Sequence, residues 1–201
     1  MRDWWLRTLL VLQHPRAVFV ALRDDTDESL ADRAEPVLLI VWLAGIAAVL
    51  ADSTTYLDDT TRHGLDLALV AFIGGGISGG FAYFAVGWIL YRVVRAFGSQ
   101  GTYRRARHVL AFASVPIALS LVVWPVKLAL YGDDWFRTGG RDTGGGGIAL
   151  DLVTAVFFAW SVVLLAIGVR AVHGWPWRRA LAATVIALAL PLALSVAFAV
   201  L

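Results

Sequence analysis

Apolar residues gather into five long runs along this chain, and short polar connections separate the runs. They cover residues 36–51, 67–91, 109–131, 148–169 and 180–201. A helix needs about 20 residues to cross a hydrocarbon core about 30 Å thick, so four of the runs are long enough. The first run is shorter, and its flanking turns or a locally thinner bilayer would complete the crossing. The pattern predicts an all-α, polytopic membrane bundle with five transmembrane helices.

An interfacial helix is predicted at Arg2–Gln13, ahead of the apolar runs. Its only charges, Asp3 and Arg7, are spaced i, i+4 and share one narrow face. Trp4 and Trp5 suit the headgroup level of a bilayer, so we expect this helix to lie in the cytoplasmic interface with its tryptophans in contact with lipid. The alternative is a helix that packs onto the other helices without touching lipid.

A second short helix is predicted to begin at Pro15, since proline favours the first helical turn, and to end near Leu22. The acidic stretch 24–35 is then expected to be a solvated connector. The chain would therefore consist of a cytoplasmic N-terminal segment, 1–35, and a five-span transmembrane domain, 36–201.

Arginine is distributed unevenly between the connections. The N-terminal segment and the second and fourth connections hold thirteen arginines, whereas the first and third connections hold three. Short loops rich in Arg and Lys stay in the cytoplasm. This alternation predicts a multi-pass protein of the plasma membrane with its N-terminus in the cytoplasm and its C-terminus outside.

The composition narrows the function class further. Of the 201 residues, 59% are hydrophobic and 16% are charged, whereas soluble domains average about 45–50% and about 25%. A net charge of +2, scattered between apolar runs, excludes a nucleic-acid-binding surface. Cysteine is absent and the four histidines fall in separate segments, so neither disulfides nor a metal centre are expected. We expect a protein that is not an enzyme and that uses no cofactor.

Glycines concentrate in the middle of the second run. Gly75 and Gly79, and likewise Gly76 and Gly80, have the small-xxx-small spacing that lets helix backbones approach closely, and Gly87 continues the second pair's face. Two interpretations remain open. The glycines either pack against a neighbouring helix or a second copy, or they form an unwound segment that binds an ion or a headgroup.

Two charged residues and two prolines are placed inside the runs. Lys127 and Asp151 lie at matching depths of the third and fourth runs, so they are expected to form an intramembrane ion pair. Both are near enough to the interface to snorkel, which favours a structural role. Pro116 and Pro191 remove helical hydrogen bonds and are predicted to kink their helices, either as hinges or as ordinary membrane-helix kinks.

Arginines and tryptophans cluster in the predicted cytoplasmic connections, where they suit contact with anionic headgroups or with an acidic partner. The predicted contact residues are Arg104, Arg105, Arg107, Trp175, Trp177, Arg178 and Arg179.

Several short segments resemble the Yip domain family of Ypt/Rab-interacting membrane proteins, prokaryotic branch. These segments are Leu12-Gln13-His14-Pro15 followed by Phe19, the glycine-rich second run, and the stretch from Gly98 to Tyr103 that leads through Arg107 to Phe112-Ala113-Ser114-Val115-Pro116. The resemblance implies five spans and a cytoplasmic N-terminus. Eukaryotic relatives bind small GTPases through a longer N-terminal region, and this role is not carried over to a segment of 35 residues.

The sequence thus predicts a non-enzymatic protein that organises membranes or binds a partner or anionic lipid headgroups. A small transporter or channel is the first alternative, with a polar cavity near Ser78, Ser114 and Ser195. An obligate subunit of a membrane complex, or a homo-oligomer that buries the glycine face, is the second.

Overall fold

The computed structural model describes the backbone of residues 2–26 and 34–200, and the side-chain surroundings of residues 8–26, 36–191 and 193. Within these ranges the chain forms helices and turns and no strand. The helices are α1 (Arg2–Gln13), α2 (Pro15–Asp24), α3 (Ala34–Asp52), α4 (Gly64–Ala96), α5 (Tyr103–Phe136), α6 (Gly145–His173) and α7 (Trp177–Val200).

The helices α4, α5 and α6 are each long and apolar enough to cross a membrane, and α3 contributes a shorter apolar helix, Pro36–Asp52. The prediction of an all-α membrane bundle is therefore confirmed. Five crossings would require α3 and α7 to span as well, and that number stays a prediction.

The first four apolar runs each lie inside a longer helix. The clearest case is α6, which has 29 residues where the sequence predicted a span at 148–169. Hydrophobicity ends where the hydrocarbon would end, but the backbone hydrogen-bond ladder continues until a residue stops it. At the start of α4 the carboxylate of Asp66 accepts a hydrogen bond of 2.9 Å from the backbone N–H of His63. Asp66 therefore caps the helix, which begins at Gly64, three residues before the predicted span.

Two of the long helices contain irregular turns. In α4, residues Val70–Gly74 form a π-helical turn. In α5, the helix is interrupted at Ser114, resumes at Val115 with Pro116 in its first turn, and passes through a 3₁₀ turn, Ser120–Val123. Proline in a first turn loses no helical hydrogen bond, so Pro116 opens a new helical segment and does not sit in a helix interior. Pro125 plays the same part in the next segment and was not anticipated from the sequence.

The chain divides into two compact units. The first comprises Met1–Leu38, Phe81–Ala113 and Val162–Leu201, and the second comprises Leu39–Gly80 and Ser114–Ser161. Each unit holds segments that are distant in sequence, because the long helices contribute one part of their length to each.

An aromatic core organises the second unit. Trp124 stacks on Phe136 with ring centroids 5.6 Å apart and meets Trp135 edge-on at 6.5 Å. Leu57 and Leu67 complete the buried cluster. The first and third connections are the ones that the arginine count places outside. The core thus packs both of them against the helices that precede and follow them.

Polar contacts link the same two connections. Asp58 accepts hydrogen bonds from the backbone N–H of Thr138, at 2.8 Å, and from its hydroxyl, while Arg137 donates to the carbonyl of Leu57 at 2.6 Å. The hydrogen bonds from Thr138 hold the pKa of Asp58 below its usual range. A carboxylate with a lowered folded-state pKa stabilises the fold at pH values above its unfolded-state pKa. This stabilisation is lost as the pH falls through the folded-state pKa, so the link weakens only under acid conditions.

In the first unit, α2 packs through its buried face of Val18, Phe19 and Leu22. A Cβ at Gly168 of α6 would lie 2.9 Å from the ring of Phe19 and 2.8 Å from the side chain of Val109. Only glycine leaves room for both side chains, so this position fixes α2 closely against α6.

In the second unit, α3 and α4 approach closely at the glycine-rich stretch. A Cβ on Gly79 would overlap the carbonyl oxygen of Val41, and a Cβ on Gly75 would lie 2.6 Å from the Cα of Ile46. These neighbours are backbone atoms, which cannot move aside as a flexible side chain can. The glycines therefore let the two backbones come into direct contact.

The π turn beside the glycines is covered by a tryptophan of α3. The indole N–H of Trp42 donates a hydrogen bond of 3.1 Å to the carbonyl of Phe72, and the ring lies where a Cβ of Gly76 would be. A π turn alters the regular backbone hydrogen bonding of a helix. The indole N–H therefore gives the Phe72 carbonyl a hydrogen bond that lipid could not supply.

Replacing Gly79 with alanine should lower the stability of the protein by about 1–3 kcal/mol, because the added methyl group forces α3 and α4 apart. The matched control is Gly80→Ala, one residue along the same helix, where an added Cβ meets no atom within 4 Å. Unfolding of both variants in detergent micelles, followed by circular dichroism, measures the difference. Equal stabilities for the two variants would contradict the close approach.

Candidate functional site

A cleft of about 590 Å³ opens in the first unit, between the α1–α2 turn and the end of α6. We call it the basic cleft. The side chains that define it are Gln13, His14, Arg16, Val20, Ile167, Arg170 and Trp177, with small residues between them. None of its lining residues is acidic.

The cleft owes its shape to the sequence around Pro15. Proline has no N–H to continue α1, so α1 ends at Gln13 and Pro15 opens α2. The turn between the two helices presents His14 and Arg16 at the surface, and both are exposed.

Arg170 supplies the charge on the opposite wall. Its Nε is buried and has no hydrogen-bond partner among the described residues. Its guanidinium lies 4.7 Å from the ring centroid of Trp177, which supports the plane of the group without satisfying its N–H donors. A planar cation with an unpaired donor, facing a second arginine and no acid, is suited to a phosphate or carboxylate oxygen.

Several of the predicted contact arginines are engaged inside the first unit. Arg107 lies over the rings of Tyr103, Phe84 and Tyr83 at 4.5, 4.8 and 5.1 Å. Its stem passes over Gly87, where an added Cβ would lie 2.6 Å from Arg107 Cγ. The small residue at position 87 therefore makes room for the arginine and is not part of the contact between α3 and α4.

Two further arginines bind backbone carbonyls. Arg105 donates to the carbonyl of Asp25 at 3.1 Å, and Arg179 donates to the carbonyl of Phe97 while lying over the ring of Trp175 at 4.4 Å. Both join segments that the sequence analysis placed in the cytoplasm. These guanidiniums hold the predicted cytoplasmic segments together within the first unit.

A histidine and a serine form a further polar link there. Ser99 Oγ lies 3.0 Å from His173 Nδ1 and accepts a hydrogen bond of 2.9 Å from the backbone N–H of Gly101. The ring of His173 packs on Trp175 with centroids 4.7 Å apart. The segment from Gly98 to Tyr103, singled out in the sequence, is therefore held by the turn that follows α6.

The remaining predicted residues are dispersed. Arg104 is half-buried on α5, and Arg178 and Trp177 are exposed on α7. Pro191 lies inside α7, whose helix continues on both sides of it. The side chains of Trp4, Trp5 and Ser195 lie outside the described residues.

Residues 76–80 match the G-x-S-x-G spacing of a serine nucleophile elbow. They lie inside a helix, however, and not at a strand-to-helix turn. The hydroxyl of Ser78 donates to the carbonyl of Gly75 at 3.2 Å. No three metal-binding side chains gather anywhere in the described part of the chain.

Comparison with known proteins gives one assignment. A family model of the Yip1 domain matches residues 9–200. The chain belongs to the Yip1 domain family. No curated protein and no solved structure matches it. The Yip1 domain match extends from α1 to the end of α7 and includes all the residues that line the basic cleft, and the predicted resemblance is confirmed.

The basic cleft was missed by the sequence analysis, although its parts were noted separately. In the sequence, the segment Leu12-Gln13-His14-Pro15 carries part of the family resemblance, and Trp177 suits a membrane interface. Nothing in the sequence connects position 16 to position 170. The one available signal is that Arg170 directly follows an apolar run, at the depth where a headgroup phosphate would lie.

Replacing Arg107 with glutamine should lower the stability of this Yip1 domain protein by about 1–2 kcal/mol, since it removes a partly desolvated cation from three aromatic rings. Arg178→Gln removes the same charge from an exposed position and should leave stability unchanged. Thermal unfolding of both variants in the same detergent provides the measurement. If Arg107→Gln unfolds with the wild type, the aromatic contacts are not stabilising.

Proposed function

We propose that this Yip1 domain protein is a non-enzymatic membrane protein that binds the phosphate of anionic phospholipids in the basic cleft and thereby organises its membrane environment. The observation that carries the proposal is the pairing of Arg16 and Arg170 across one cleft with no acidic residue in its lining. Membership of the Yip1 domain family supports a multi-pass membrane protein of this type.

The chemistry of the cleft fits a lipid headgroup better than a free anion. Its lining contains the two arginines Arg16 and Arg170, while Val20 and Ile167 contribute apolar surface. Trp177 is half-exposed at the same place, where tryptophan suits the boundary between headgroups and acyl chains. A headgroup phosphate with the first part of an acyl chain would satisfy both surfaces.

The proposed orientation places the cleft at the cytoplasmic surface of the plasma membrane. The N-terminal segment and the fourth connection, both predicted inside by their arginines, line the same cleft. The cytoplasmic leaflet carries most anionic lipid, and each arginine near such a surface contributes about 1 kcal/mol. The exposed Arg178 would add to this attraction, whereas Arg105, Arg107 and Arg179 act mainly by holding the segments that build the surface.

The transporter alternative is not favoured by the geometry of the glycine-rich stretch. It requires open backbone carbonyls, yet Trp42 binds the carbonyl of Phe72 and Ser78 binds that of Gly75. Gly75 and Gly79 contact α3 of the same chain. The stretch therefore supports helix packing.

A protein partner remains the second candidate, because the Yip1 family is known for interactions with Rab/Ypt proteins. The same basic surface would then meet an acidic patch. A homo-oligomer or a larger complex also stays a prediction.

The test uses the double variant Arg16→Gln/Arg170→Gln, purified in a mild detergent and titrated with fluorescent phosphatidylglycerol. Loss of two arginines should weaken binding about 10- to 30-fold at low salt. The difference should shrink as salt is added, since counter-ions screen exposed charges.

Arg23→Gln is the matched control. Arg23 lies on α2, is exposed, and pairs with the adjacent Asp24 at 2.8 Å outside the cleft. This variant should keep wild-type affinity. Equal affinity of the double variant and the control would refute the cleft, and equal affinity of wild type for phosphatidylcholine would refute an anionic headgroup.

A further inference from the structure

A fully buried lysine, Lys127, lies in the second unit. Lys127 is 1% exposed, and its Nζ lies 4.1 Å from the ring centroid of Trp135 and 4.6 Å from that of Trp124. Among the described residues its one hydrogen bond is to Asp151, at 3.1 Å. An ammonium has three donors, so the ring faces and one carboxylate leave part of its hydrogen-bonding capacity unused.

The partner of Lys127 is not buried. The side chain of Asp151 is 65% exposed, and only Oδ1 contacts Lys127 within the described part of the chain. The pair is therefore asymmetric: the cation is enclosed by aromatic rings and the anion presents a free oxygen, Oδ2, to its surroundings.

A cavity of about 320 Å³ opens onto both charges. Thr54 contributes an exposed hydroxyl, and Ala51, Ala155 and Phe158 contribute apolar surface. The cavity lining thus combines a positive group, a negative group and a hydroxyl with apolar surface.

We propose that this cavity binds the headgroup of an ethanolamine phospholipid. The lipid phosphate accepts hydrogen bonds from Lys127 and Thr54, and the primary ammonium donates to Asp151 Oδ2. The four charges then alternate in sign, so each has an opposite neighbour and the bound site is neutral. This site differs from the basic cleft in its residues and in the charge of its ligand.

The charges of the cavity discriminate between headgroups. A phosphatidylglycerol headgroup is anionic and would bring no cation to the exposed carboxylate of Asp151. A choline headgroup has a quaternary ammonium, which has no N–H to donate and is normally bound on aromatic faces. The nearby face of Trp135 is already occupied by Lys127. A primary ammonium is the cation that matches a free carboxylate oxygen.

The surroundings favour a lipid over a soluble zwitterion. Leu152 and Val156, on the face of α6 adjacent to that of Asp151, are 63% and 66% exposed. Large apolar side chains exposed on a membrane-spanning helix face acyl chains. A ligand whose headgroup lies in the cavity would therefore have its tails along an apolar helix surface.

The experiment is native mass spectrometry of the full-length protein, equilibrated with an equimolar mixture of dioleoylphosphatidylethanolamine and dioleoylphosphatidylcholine. The wild type should retain the ethanolamine lipid about tenfold more, which corresponds to one hydrogen bond between charged groups. Ala155→Leu fills the cavity without altering a charge and should abolish the preference. Ala159→Leu, one turn further along α6 and also exposed, is the matched control and should keep it.

Lys127→Met should likewise abolish the preference, and Thr54→Val should reduce it by a smaller factor while leaving the ion pair in place. Should Lys127→Met fail to fold, Ala155→Leu and Thr54→Val decide the outcome, since both retain Lys127 and Asp151. Equal retention of the two lipids by the wild type would overturn the proposal, as would an unchanged preference in Ala155→Leu. Equal competition by water-soluble phosphoethanolamine would overturn the lipid as the source. None of these results bears on the basic cleft, whose proposed ligand is anionic.

Discussion

Backbone N–H and C=O groups have no water to bind in the hydrocarbon of a membrane, so each must be paired within the protein. This requirement accounts for the helical character of the apolar runs and for the hydrogen bonds at their irregular places. Where α4 forms a π turn, Trp42 donates to the carbonyl of Phe72. Where α5 is interrupted at Ser114, the N–H of Ala118 returns to the Ser114 carbonyl at 3.1 Å. The bond at Ser114 is an ordinary i→i−4 hydrogen bond and the bond at Phe72 comes from a side chain, so the backbone carbonyl has a donor in both places.

Close helix contact and the treatment of charge follow from the same shortage of solvent. Apolar side chains gain little by leaving lipid for one another, so α3 and α4 rely on direct backbone approach at Gly75 and Gly79. The arginines divide into two groups. Arg105, Arg107 and Arg179 have carbonyl or aromatic partners within the first unit, whereas Arg16 and Arg170 face an open cleft. The residues that indicate membrane orientation are therefore only partly the residues available to a ligand.

Much of the fold could be predicted from the apolar runs, because burial in lipid imposes a length that is visible in one sequence. Glycine spacing indicated close packing, and matching depth in adjacent spans indicated the contact of Lys127 with Asp151, which the structure places at 3.1 Å. The basic cleft could not be predicted, since it joins residues more than 150 positions apart through the packing of Phe19 on Gly168. The three-ring surroundings of Arg107 were also missed. Its i, i+4 relation to Tyr103 is local, but Tyr83 and Phe84 come from a different helix.

The π turn at Val70–Gly74 has a geometric consequence for the whole of α4. A π turn holds about one residue more than an α turn, so it rotates the following helix by about 100° relative to the part before it. Leu67, buried in the aromatic core, and Gly79, in contact with α3, therefore belong to faces that a regular helical wheel would assign wrongly. The π turn at Val70–Gly74 therefore changes the angular position, around the helix axis, of the residues that follow it in α4. The same residues wound as a regular α-helix would keep their hydropathy and their glycines but turn the glycines away from α3.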